Sequence, residues 1–203
     1  MNRYFNFIIL GSLSFLMSAC SLSPIKTQPI SYYQLDTDYS ATPNYRAKQT
    51  RYTLFVARPA ANSGYERRAM VYIVKPYQLK TYSYNQWVDS PANMTLNVLT
   101  DHLQRSGYFH AVTSPPTSSL SNFQLNTQVI VFQQEFLQSE SQFHIVIQAT
   151  LINNHTQKVV ATRRFESITA APENNPYSGV IAANEAINKI SHSIVRFCLQ
   201  YIR

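Results

Sequence analysis

Glycine is scarce: the 203 residues contain four, Gly11, Gly64, Gly107 and Gly179, too far apart to build a phosphate-binding loop or a dinucleotide fingerprint. The chain is therefore not the ATPase of any energy-driven process it takes part in. Cysteine is scarcer, with only Cys20 and Cys198 at opposite ends, which excludes a disulfide framework and a cysteine-based zinc site. The five histidines, His102, His110, His144, His155 and His192, stand apart and include no His-Glu-x-x-His pair, and there is no Gly-x-Ser-x-Gly elbow. Asp101 and His102 with nearby Ser106 do not make a triad, because adjacent residues on a helix point in different directions. No enzyme is expected, and no metal or cofactor. Acidic residues are also few, 10 against 17 Lys and Arg, for a formal charge of +7.

What is present starts with the N-terminus. Residues 5–16 are apolar apart from Asn6, Ser12 and Ser14 and follow Arg3. A stable membrane span needs roughly 20 apolar residues, so this run reads as a cleaved export signal over 1–19. Leu16-Met17-Ser18-Ala19-Cys20 resembles the lipobox of bacterial lipoproteins, with Met17 where leucine is commonest. In that pattern the Cys20 thiol is acylated and becomes the new N-terminus. Cys198 falls in a helical pattern far away and is read as a buried, reduced thiol. Residues 21–31 carry Pro24 and Pro29 and no apolar periodicity, which makes 20–31 a lipidated linker. At about 3.3–3.6 Å per residue it spans at most roughly 40 Å.

The positive charge is localised. Arg46, Lys48, Arg51, Arg58, Arg67, Arg68, Lys75 and Lys80 face a single acid in that stretch, Glu66. For an exported chain nucleic acid is a poor partner, and an anionic lipid surface or an acidic protein surface fits better.

Residues 32–203 suit one domain. Short strands are expected at 32–35, 52–57, 70–74 and 78–82, paired antiparallel. Ser90-Pro91-Ala92 is helix-entry chemistry, Ala92, Leu96, Leu99 and Leu103 recur at helical spacing, and Gly107 is placed to end the helix. Phe123, Leu125, Val129 and Val131 alternate with polar residues, as do Phe143, Ile145, Ile147, Ala149 and Leu151. Turn-prone Asn153 and Asn154 make a hairpin of the strand that follows. Ala183, Ile187, Ile190, Ile194, Phe197 and Tyr201 mark a long amphipathic helix over 177–202. The expected fold is α+β: a mixed, mostly antiparallel sheet with two main helices packed on one face.

Residues 65–94 resemble the signature of the ABC-type transport auxiliary lipoprotein family, the relatives of paraquat-inducible protein C. The resemblance is carried by Arg68, Met70, Tyr72, Pro76, Tyr77, Leu79, Tyr82, Asn85, Trp87, Val88, Asp89, Pro91, Ala92 and Met94. Tyr84 departs from it, since relatives often have a small residue there. Similar elements in the same order extend the likeness over most of 32–203. The resemblance implies a non-catalytic accessory lipoprotein of an MCE-type lipid transport system, facing the periplasm from the outer membrane. Its partners would be the MCE-domain protein with its permease and ATPase, the membrane through the anchor, and possible further copies of itself. An outer membrane assembly lipoprotein of another envelope or secretion complex is the alternative. Arg67, Arg68, Tyr77 and Trp87 are the candidate partner contacts, because arginine and large aromatics combine contact area with directional donors. For Trp87 a place in the core competes with that reading.

Overall fold

The computed structural model describes residues 28–37, 49–117 and 120–202. The proposed signal peptide, Cys20, and the basic residues Arg46 and Lys48 lie outside them. Nine strands and two helices follow in the order β1 (Ser31–Tyr33), β2 (Thr53–Val56), β3 (Ala60–Ala61), β4 (Ala69–Ile73), β5 (Lys80–Trp87), α1 (Pro91–Arg105), β6 (Ala111–Thr113), β7 (Phe123–Glu135), β8 (Gln142–Asn153), β9 (Lys158–Ala170) and α2 (Pro176–Tyr201). The fold is α+β, with both helices packed on a mixed sheet.

The long strand β7 is the spine of the sheet. Along one side it pairs antiparallel with β8, and β8 pairs antiparallel with β9. Along the other side β2, β3 and β4 follow one another, each parallel to β7, at 123–125, 128–129 and 134–135. The expectation that 52–57 pairs antiparallel with its successor is therefore corrected. Pro59 has no N–H to give a ladder and breaks the segment after β2, while the 13-residue β7 offers an edge long enough for three short strands in a row. Only β4 and β5 pair antiparallel in that half, and β1 runs parallel to β5 at the outside.

Local chemistry sets the helix ends. Ser90 caps α1, its hydroxyl accepting from the Asn93 N–H at 3.3 Å, with Pro91 in the first turn where its missing N–H costs nothing. Gly107 stops the helix with φ 63°, a conformation that glycine adopts without steric penalty. α2 is capped in the same way by Asn175, which accepts from the Ser178 N–H at 2.8 Å. Its buried face includes Ala182, Ala183, Ala186, Ile187, Ile190, Ile194, Phe197 and Cys198. Tyr201 is partly exposed and meets Phe197 edge-on instead.

A bulge between Val129 and Val131 shifts the register of β7. It turns Val131 out of the core and brings Phe132 in, where it packs edge-to-face against Trp87 and Phe143, with centroids 5.6 and 5.1 Å away. The face of the sheet away from the helices is polar: Gln124, Asn126 and Gln128 of β7 lie there beside Gln148 and Thr150 of β8.

Candidate docking surface

Arg67 and Arg68 close the loop that leads into β4, and both are exposed. The Trp87 N–H donates to the Arg68 carbonyl at 2.8 Å, which pins this loop to the end of β5 just before α1 begins. Between the loop and the start of α1 lies an open groove of about 590 Å³ lined by Glu66, Arg67, Arg68, Gln86, Asp89 and Asn93. Asp89 accepts from the Ser90 N–H at 2.6 Å and from the Asn93 amide, and Arg58 donates to Asn93 Oδ1 at 2.7 Å. The groove therefore presents two guanidinium groups beside two carboxylates. A surface that carries both signs side by side selects for a partner with matched charges, which a uniformly anionic lipid surface is not.

The other candidates separate. Tyr77 is fully exposed at the β4–β5 turn, at the opposite end of β4 from Arg68. Trp87 is only 1% exposed and sits in the core against Phe132 and Phe143, so it offers no area to a partner. Its indole is the largest apolar group of the signature stretch, and the transfer energy of such a ring favours the interior. Tyr82 is half-buried, stacked on Tyr72 at 4.4 Å and donating to Gln134 at 3.0 Å. The described members of the basic run are likewise not one patch: Arg58, Arg67 and Arg68 lie near the start of α1, and Lys75 and Lys80 lie at the β4–β5 turn.

A second polar cluster crosses the polar face of the sheet, with Tyr65, Gln133 and Glu135 buried within it. The Tyr65 hydroxyl donates to Gln133 Oε1 at 2.6 Å, and the Gln133 amide donates to Glu135 at 2.7 Å. Glu135 faces His144 Nδ1 at 2.9 Å, and His144 Nε2 lies 2.7 Å from Glu166. The chain of contacts joins β7, β8 and β9 through side chains, and the alternation that puts His144 on the polar side of β8 was its only sequence signal. His102 of the discarded triad is buried, with Nε2 2.7 Å from Asn188 Oδ1. Among the described residues, no three His, Cys, Asp or Glu side chains are grouped to hold a metal ion.

Burial pushes Tyr65 up to about 12, helped by the nearby charge of Glu135, and pushes the Cys198 thiol up to about 12. Burial, then Tyr72, raises Tyr82 as well. A raised folded-state value means that the unfolded chain loses these protons first. Stability should hold below about pH 9 and fall as pH rises from there toward 12. Thermal melts at stepped alkaline pH check this, and Tyr65→Phe should flatten part of the decline.

Residues 33–195 match the model of the ABC-type transport auxiliary lipoprotein component. The chain belongs to this family. Membership makes it a lipoprotein of the cell envelope and an auxiliary component associated with an ABC transporter. Among solved structures it is similar to a Xanthomonas campestris protein of family DUF330, at 22% identity over 84% of this chain and 96% of that one, with a TM-score of 0.76. It is also similar to an uncharacterized protein at 18% identity, over 84% and 99% of the two chains, with a TM-score of 0.66. A hypothetical protein from Chlamydia trachomatis shares 7% identity over 75% and 98%, with a TM-score of 0.53. These likenesses concern the fold alone. No curated protein matches the sequence.

Proposed function

We propose that this chain is the non-catalytic accessory lipoprotein of an MCE-type ABC lipid transport system. It is held at the outer membrane by acyl chains on Cys20 and docks the MCE-domain protein through the groove at Arg67 and Arg68. The observation that carries the docking site is the groove itself, where two exposed arginines and two carboxylates are brought together at the β5–α1 junction. Support for the MCE system comes from the resemblance of residues 65–94 to relatives of paraquat-inducible protein C. Among the described residues no helix is long and apolar enough to cross a membrane, so the acyl anchor is what ties this domain to one in the proposed arrangement.

Such a component acts by holding partners in register, which is a matter of orientation and charge matching and needs no reactive group. Reversing both arginines, Arg67→Glu with Arg68→Glu, should cut co-purification of the MCE-domain protein from membranes by about tenfold or more. Folding and membrane fractionation should be unchanged, because exposed substitutions of this kind shift stability by about 0.5 kcal/mol. Undiminished co-purification at physiological salt would move the interface elsewhere.

A further inference from the structure

We infer that the β4–β5 turn is a membrane-contact tip, lying in the head-group layer of the same bilayer that holds the anchor. The inference rests on the proposed acylation of Cys20. The turn exposes Val74 (45%), Tyr77 and Leu79 (48%), and Lys75 and Lys80 flank them with no acid between residues 74 and 80. Tyr77 has φ 67°, a left-handed conformation that side-chain-bearing residues rarely take, and it holds the whole ring in solvent. The neighbouring β7–β8 turn adds Leu137, exposed at 43%, next to the contact in which the Phe136 N–H donates to the Ile73 carbonyl at 2.8 Å. Apolar groups with a phenol and flanking lysines form the mixture that partitions to the interface, where the ring sits at head-group level and the ammonium groups meet lipid phosphates.

The path of the chain selects the membrane as the occupant. β1 is parallel to β5 and pairs with its last three residues, Asn85, Gln86 and Trp87, so residues 28–30 approach along β5 from the direction of the β4–β5 turn. Only eight peptide steps separate Cys20 from Gln28, at most about 29 Å even when fully extended. The anchored lipid is thereby held within about 29 Å of Gln28, which enters alongside β5. A protein partner is a poorer fit, since a specific interface covers about 800 Å² on each side and a convex turn with a few apolar side chains offers far less. Glu140 and Glu173 lie at the other corner of the same end, beside the entry to α2, so the contact is oblique and leads with the β4–β5 corner.

The test uses the full acylated protein in vesicles of phosphatidylethanolamine with a minority of phosphatidylglycerol. Tyr77→Cys carries an environment-sensitive fluorophore, and Thr156→Cys, exposed in the β8–β9 turn at the opposite end, serves as the control. Cys198 is fully buried and does not compete for label. The expected result is blue-shifted emission at position 77 and several-fold stronger quenching by shallow spin-labelled lipid there than at 156. Adding Lys75→Glu and Lys80→Glu should remove most of that difference. An acylated, membrane-floating protein whose two labels are equally exposed to water overturns the tip alone. A blue shift at 77 without lipid quenching assigns the turn to a protein contact and also overturns it. A protein whose intact mass lacks the diacylglyceryl group and which does not float overturns the anchor, and the tip with it.

Discussion

Replacing Ile190 with aspartate should leave a chain that does not fold. Ile190 lies mid-way along α2 with 2% of its surface exposed, within the buried stripe that covers β8 and β9. The substitution gives up about 2 kcal/mol of apolar burial and places a carboxylate where it has no cation to pair with, at a further cost of several kcal/mol. Domains of this size are stable by only about 5–15 kcal/mol in total, so the sum reaches the whole margin. The adjacent residue provides the contrast. Lys189 is exposed, and its 2.6 Å pair with Glu185 is solvated on both sides, so Lys189→Ala should cost less than about 1 kcal/mol. Circular dichroism and thermal melts of both variants read the difference, and an unchanged melting midpoint for Ile190→Asp would show that this stripe is not core.

Why that stripe was legible, while the pairing of half the sheet was not, is a matter of range. Helix periodicity, the Ser90-Pro91 entry and the Gly107 stop are local facts: each depends on residues within a turn or two of one another. The β8–β9 hairpin is nearly as local, because alternation fixes its faces and the Asn153 side chain builds its turn by accepting from the N–H groups of His155 and Thr156. The parallel run of β2, β3 and β4 along β7 joins residues more than 60 positions apart, as Leu54 with Phe123 and Tyr72 with Gln134, and no local period encodes such partners. The bulge at Val129 is similarly silent. One extra residue exchanged Val131 for Phe132 as the core group, although alternation pointed to Val131.

The same distinction separates the candidate contacts. Arg67, Arg68 and Tyr77 are legible as surface residues, since charge and a Pro-Tyr turn each favour exposure. Trp87 ends a strand, and whether that end is capped by solvent or by Phe132 and Phe143 depends on β7 and β8 arriving there. The line from Tyr65 to Glu166 needs three strands in register before its members meet, so composition gave no notice of it. Cys20 is read from sequence chemistry alone.

Gly179→Ala separates local from tertiary control by the sign of its effect. Alanine in place of a helical glycine gains about 1 kcal/mol from propensity, so a local view predicts a more stable protein. In α2, a Cβ at position 179 would fall far inside van der Waals contact with the side-chain amide of Gln134. The end of a glutamine often swings aside at little cost, but this one is 1% exposed and held from several sides. It accepts from the Tyr82 hydroxyl at 3.0 Å and donates to Ser141 Oγ at 2.9 Å and to the Asn175 carbonyl at 3.2 Å. Moving it breaks buried hydrogen bonds worth about 1–3 kcal/mol each once left unsatisfied, and lifting the helix instead opens the core beneath Ala182 and Ala183. The expected outcome is a net loss of about 1–3 kcal/mol, seen as a lower denaturant midpoint. Gln134→Ala costs stability by itself, but combined with Gly179→Ala it should cost less than the sum, because the overlap is gone. Strict additivity, or a Gly179→Ala variant more stable than the parent, would mean that the helix does not rest on Gln134. These bonds join β5, β7, the β7–β8 turn and the entry to α2, the framework on which the β4–β5 tip stands. The tip label of Gly179→Ala should accordingly lose part of its lipid quenching at temperatures where the domain is still folded.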